Sequence, residues 1–133
     1  MNRHLVTVAS GTLLLGLALV APAVAQAAPS IPKVSNCGFP SAQPTEIDLT
    51  CVHALTVLEK LKWSKLNYRT AKGTGVYYYD DCKPNCLVGS YRQHRVNVQL
   101  TTPKTVDGIR VFTKAKVTFP EGSGQSNKTF QLP

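Results

Sequence analysis

Acidic residues are scarce in this chain. Seven Asp and Glu stand against fifteen Lys and Arg, a formal net charge of +8 with neutral histidines. Catalytic side chains are scarce as well. "GSGQS" does not fit Gly-x-Ser-x-Gly, so the hydrolase nucleophile turn is absent. Beyond the N-terminal region only His53 and His94 remain. His94 is the one candidate base, with Asp80 or Asp81 as partner; lacking a placed nucleophile, it reads as a strand-end residue beside Arg92 and Arg95. No Cys-x-x-Cys occurs and no βαβ pattern is visible, which argues against a redox motif. The cysteines at 82 and 86 have three residues between them and no histidine at tight spacing, which argues against zinc. Asp80 and Asp81 alone supply too few oxygens for calcium and read as turn-starting residues. The expectation is a non-enzyme without metal or cofactor. No nucleic-acid motif appears, so no nucleic-acid partner is expected.

After the N-terminus, no apolar run approaches the roughly 20 residues of a membrane span. The N-terminus itself has Arg3, an apolar run from Leu13 to Val20, and the small residues of "APAVAQAAPS". That order predicts a signal peptide over 1–27, removed on secretion, with cleavage after Ala27 or after Ala25. The mature chain has the length of one domain with one core. In that exported setting four cysteines, Cys37, Cys51, Cys82 and Cys86, read as two disulfides. Chain entropy favours bridges that close long loops, which predicts Cys51–Cys86 with Cys37–Cys82. The sequential pairing, Cys37–Cys51 with Cys82–Cys86, is the alternative.

Residues 28–45 hold four prolines and read as an extended segment, with one short edge strand at most near Val34. A single β domain is expected over 46–133. "TEIDLTC" alternates as a half-buried strand. "VHALTVLEKLKWSKLNY" is ambiguous: Leu55, Leu58 and Leu61 share a helical face, while Val57, Leu61 and Trp63 share a strand face. A turn or short helix near 52–57 and a strand over 58–66 are expected there. Gly73 and Gly75 suggest a turn before a Tyr-rich strand; Pro84 and Asn85 centre the cysteine turn. "SYRQHRVNVQL" is the returning strand, and "TTPKTVDG" a loop. "IRVFTKAKVTF" is the clearest strand, with Ile109, Val111, Ala115, Val117 and Phe119 inward and Phe112 an apolar exception facing out. "KTFQL" reads as a last short strand. Short strands joined by Gly/Pro turns predict a mostly β fold, an antiparallel sandwich or barrel stapled by disulfides. Its core should hold Ile47, Leu49, Leu61, Trp63, Val96 and Val98, with Leu100, Val111, Val117 and Phe119.

The strings "IDLTC", "LKWSKL", "GTGVYYYDDCKPNCLVGSY" and "RVNVQL" resemble a group of small exported actinobacterial proteins of unknown function. Their shared pattern is a strand ending in Cys, a Leu-x-Trp strand, and the turn Asp-Cys-x-Pro-x-Cys-x-x-Gly, here Asp81 to Gly89. The resemblance covers roughly residues 44–100. A second Trp usual in the group is replaced here by Leu66 or Tyr68. The resemblance implies secretion and a mostly β fold, and carries no chemistry. Secreted subtilisin inhibitors have similar size and cysteine number but different cysteine spacing.

The remaining signal is basic and aromatic. Lys60, Lys62, Lys114 and Lys116 are interleaved with strands, where outward lysines also guard edges and keep a sheet soluble. Candidate binding residues are Tyr77, Tyr79, Lys83, Asn85, Arg92, Arg95, Lys114 and Lys116. Together they suggest an extracellular interaction module whose partner is an anionic cell-envelope polymer or an extracellular protein. Protease inhibition through the stapled turn is the main alternative, and a small hydrolase the lesser one.

Overall fold

The computed structural model describes residues 23, 25–52 and 56–132. The expected signal peptide, apart from its last few residues, and His53 lie outside them. Among the described residues every element is a strand: β1 (Lys33–Asn36), β2 (Phe39–Ser41), β3 (Ile47–Asp48), β4 (Thr56–Leu66), β5 (Ala71–Asp80), β6 (Tyr91–Val106), β7 (Ile109–Thr118) and β8 (Lys128–Gln131). The expected mostly β, disulfide-stapled fold is present as one curled sheet, a half-barrel, in the order β2-β1-β7-β6-β5-β4-β3. β8 adds to β7 off that path. The sheet is mixed: β1 runs parallel to β7 through Lys33↔Val111 and Val34↔Phe112, and every other pair is antiparallel. Among the described residues no helix is long and apolar enough to cross a membrane.

The Pro-rich segment is therefore built into the sheet. Val34 is fully buried, and β2 rather than β1 forms the edge. Asn36 then reaches β3, the far end of the path. Its Oδ1 accepts from Asp48 N at 2.9 Å, and its Nδ2 donates to Glu46 O at 3.5 Å. Cys37–Cys51 lies beside these bonds. The sheet thus curls until its ends meet at a seam closed by one side chain and one disulfide instead of a ladder.

The pairing is Cys37–Cys51 and Cys82–Cys86, which corrects the expected Cys51–Cys86 and Cys37–Cys82 bridges. Loop entropy ranks how useful a bridge would be; proximity decides which one forms. Cys82 and Cys86 share one turn, with Cα atoms 3.9 Å apart, and Cys37 meets Cys51 across the seam, with Cα atoms 5.4 Å apart.

Leu58 and Leu61 share the core although they are three residues apart on a strand. A bulge explains this. The β4–β5 register shifts between Glu59 and Lys62, and Lys60 takes a left-handed φ of 52°. The extra residue turns Leu61 inward and Lys62 outward. A second shift between Trp63 and Lys65 does the same for Leu66, which packs against the core. Gly73 and Gly75 lie inside β5, not in a turn, and make room for β4 at these shifts. A Cβ on Gly75 would stand 2.8 Å from Leu61 Cδ2, and one on Gly73 2.6 Å from Lys62 O. The preceding turn is at Asn67–Thr70, closed by Asn67 N to Thr70 O.

Two further readings are corrected on β6 and β7. The expected 101–108 loop is strand as far as Val106, followed by a two-residue hairpin of Asp107 (φ 48°) and Gly108 (φ 77°). Pro103 is accommodated because β5 ends opposite Leu100, leaving β6 one neighbour there. Phe112 is fully buried in the core cluster, whereas Ile109 is exposed. Thr102, at φ 54°, kinks the hairpin, and Thr113 Oγ1 donates to Thr102 O at 2.7 Å. The inward set on β7 therefore changes from Phe112 to Ala115, Val117 and Phe119 across that kink. Trp63 is half-buried: its ring packs on the core and its Nε1 donates to Pro44 O at 3.0 Å.

Candidate functional site

Register places each residue on the inner or outer face of the curl. Tyr77 and Tyr79 face inward with their rings 5.5 Å apart, and Tyr77 is 4% exposed. Burial raises the Tyr77 phenol pKa, aided by Tyr79 and opposed by a Thr56 hydrogen bond. Tyr77 is thus a core residue, which corrects its assignment to a binding face, and half-buried Tyr79 packs against that core. His94 also points inward, in ring contact with Tyr79 and Phe119. It does not meet Asp80 or Asp81, whose oxygens accept from backbone amides.

Lys83 and Asn85 lie exposed on the turn that Cys82–Cys86 staples. This knob is held by short local bonds. Asp80 Oδ1 accepts from Cys82 N at 2.8 Å, Asp81 Oδ1 from Ser90 N at 2.9 Å and Asn85 Oδ1 from Leu87 N at 3.0 Å. Arg92 Nε pairs with Asp81 Oδ2 at 3.2 Å. The amides of Ser90 and Lys83, with Arg92, hold the Asp81 carboxyl below the usual range against a smaller opposing desolvation. The Lys83–Pro84 bond is cis. Leu87 and Val88 project into solvent at its tip.

The outer face carries the concentration of charge. Three depressions of about 490, 390 and 280 Å³ lie along it. The first and second share Lys60, Val76 and Arg95; the first and third share Thr74 and Asn97. They are one trough. Lys60 and Lys62 on β4 form one wall and Arg95 and Asn97 on β6 the other, with Thr74 and Val76 of β5 as the floor. Two strand spacings make the walls about 10 Å apart, and the run from Gln93 to Gln99 is about 20 Å long. Lys72 and Gln99 line the far end. No lining residue is acidic. Among the described residues the one ion pair is Arg92–Asp81, in the knob. The bulge at Lys60 is what turns the Lys60 and Lys62 face outward while Leu58 stays inward.

Of the expected binding residues, Arg95 lies in the trough. Lys114 and Lys116 share its face on β7, opposite Thr101 and Gln99. Lys83, Asn85 and Arg92 belong to the separate knob. In the sequence Lys60 and Lys62 stand out only as interleaved cations, and Lys72, Thr74 and Asn97 do not stand out as binding residues. Alternation of Arg95, Asn97 and Gln99 on β6 was the available signal; their partners on β4 depend on a bulge. Among the described residues no three His, Cys, Asp or Glu side chains cluster to hold a metal. Compared with known proteins, the chain matches no family model, no curated protein and no solved structure.

Proposed function

We propose that this chain is a secreted, non-enzymatic binding module whose trough holds an elongated anionic polymer of the cell envelope. The observation that carries the reading is the trough lined by Lys60, Lys62, Lys72 and Arg95, cations that outnumber the neighbouring Glu59 carboxylate across the ladder from Val76. Cations on facing walls concentrate field between them and attract a polyanion. Amides and hydroxyls of Gln93, Thr74, Asn97 and Gln99 offer hydrogen bonds between the charges. A length of about 20 Å suits a chain better than a small molecule. Two disulfides are compatible with an extracellular setting.

The test is retention of the protein on purified anionic wall polymer at about 0.05 M and about 0.5 M salt. Retention at the lower salt, release at the higher, and about tenfold weaker binding for Lys62→Glu are expected. Failure to bind at either salt would overturn the reading.

Protease inhibition is favoured by one observation: Leu87 is 96% exposed on a stapled loop. The loop's shape is against it. Val88 N donates to Asn85 O at 3.2 Å, so residues 85–88 form a turn, not the extended segment that pairs as a strand in recognition.

A further inference from the structure

The trough does not end at Gln93. On the same outer face, β5 continues from Val76 to Tyr78, and β6 begins at Tyr91 two residues before Gln93. Tyr78 pairs with Gln93, and its ring lies 5.4 Å from that of Tyr91 at 34° between planes. Tyr91 is 57% exposed. Half-buried Tyr78 and exposed Tyr91 form an aromatic plate at the end of the cationic trough, with Asp80 across the ladder from Tyr91, extending the face to about 26 Å from Tyr91 to Gln99. A linear polyanion such as polyphosphate has no use for such a plate. A sugar ring does: its C–H face packs on an aromatic face, while its hydroxyls and charged substituents reach polar groups at the rim.

Resting on the reading above, we infer that the polymer is an acidic polysaccharide. One sugar residue stacks on Tyr78 and Tyr91, and the carboxylates or phosphates of the following residues lie between Lys60, Lys62 and Arg95. Asn97 and Gln99 then meet sugar hydroxyls. The plate supplies selectivity for carbohydrate, and the cations supply most of the affinity. That division makes the two ends separable by mutation. Tyr91 is suited to substitution because it begins its strand and its ring is largely in water.

The experiment compares polygalacturonate, inorganic polyphosphate and neutral dextran by titration calorimetry at low salt. The intact protein should bind polygalacturonate and polyphosphate, and dextran at least tenfold more weakly. Tyr91→Ala should weaken polygalacturonate about fivefold and change polyphosphate by less than about twofold. Tyr91→Phe should restore polygalacturonate binding, which separates loss of the plate from damage to the strand. Lys62→Glu should weaken both polyanions together. Equal effects of Tyr91→Ala on both, or no effect on either, would overturn the plate. Binding of polyphosphate without polygalacturonate would also overturn it and leave the anionic trough standing. Binding of neither polyanion would remove both.

Discussion

Cys37–Cys51 closes the seam where the ends of the sheet meet, beside buried Val34, Ile47 and Leu49. Cys82–Cys86 closes a turn whose Leu87 and Val88 face water. The local chemistry of the two sites is alike. In each, an aspartate accepts from amides just after it: Asp48 from Thr50 and Cys51, Asp81 from Lys83. In each, a cysteine sits at positive φ: Cys37 and Cys51 at the seam, Cys82 in the knob. The surroundings differ. At the seam the staple joins segments that the rest of the sheet does not pair, so it completes the fold. In the knob it shapes a projection of a hairpin that the β5–β6 ladder already registers from Asp80↔Tyr91 upward. Similar turns with similar bridges therefore have different work, set by what packs behind them.

That contrast should appear most strongly when each bridge is removed. Cys37→Ser with Cys51→Ser should cost about 3 kcal/mol from loop entropy, and lower Tm by more than about 10 °C in thermal melts. Removing the knob bridge, Cys82→Ser with Cys86→Ser, should cost no more than about 2 kcal/mol. In hydrogen exchange its effect should be confined to the knob amides, such as Leu87 and Val88, with β6 and β7 unchanged. Equal losses of global stability from the two double variants would erase the distinction.

Asn36→Ala sharpens the comparison with the disulfide intact. It leaves Asp48 N without its partner at the seam, at a cost of about 1 kcal/mol in denaturant unfolding. A cost near zero would mean that the disulfide alone closes the seam.

Acid should give the smallest effect. Burial works to raise the Asp48 pKa, but hydrogen bonds from Thr50 and Cys51 outweigh it and hold the carboxyl below its ordinary value. Asp81 is also lowered. A carboxyl with a folded pKa below its unfolded value stabilises the fold above the unfolded value, about 3.9, and loses that contribution as pH falls through the folded one. Stability should therefore be flat near neutrality and fall below about pH 4. Asp48→Asn and Asp81→Asn should each reduce that fall, and Asp81→Asn should also alter exchange in the knob.

Much of the strand content was legible because alternation is a local property. Val96, Val98 and Leu100 read as inward and are buried. The tyrosines alternated as the pleat requires, yet the outward pair proved to be half-buried Tyr78 and exposed Tyr91, because only the register fixes which face is core. The Leu55, Leu58 and Leu61 spacing that imitated a helix is explained at Leu58 and Leu61 by the Lys60 bulge. Val-Asp-Gly-Ile at 106–109 was a readable hairpin signal that was passed over beside Pro103.

By itself the sequence determined a basic chain of short β-strands with Gly/Pro turns, two bridges' worth of cysteine, and cations alternating with core residues. These follow from composition and from a side-chain period of two, which one strand carries alone. Only the tertiary structure decided the cysteine partners, the parallel entry of β1 beside β7, the seam at Asn36 and the trough. Each depends on which segments become neighbours across tens of residues. That is fixed by bulges at Lys60 and after Trp63, by Gly73 and Gly75 making room beneath them, and by the closing curl of the whole sheet.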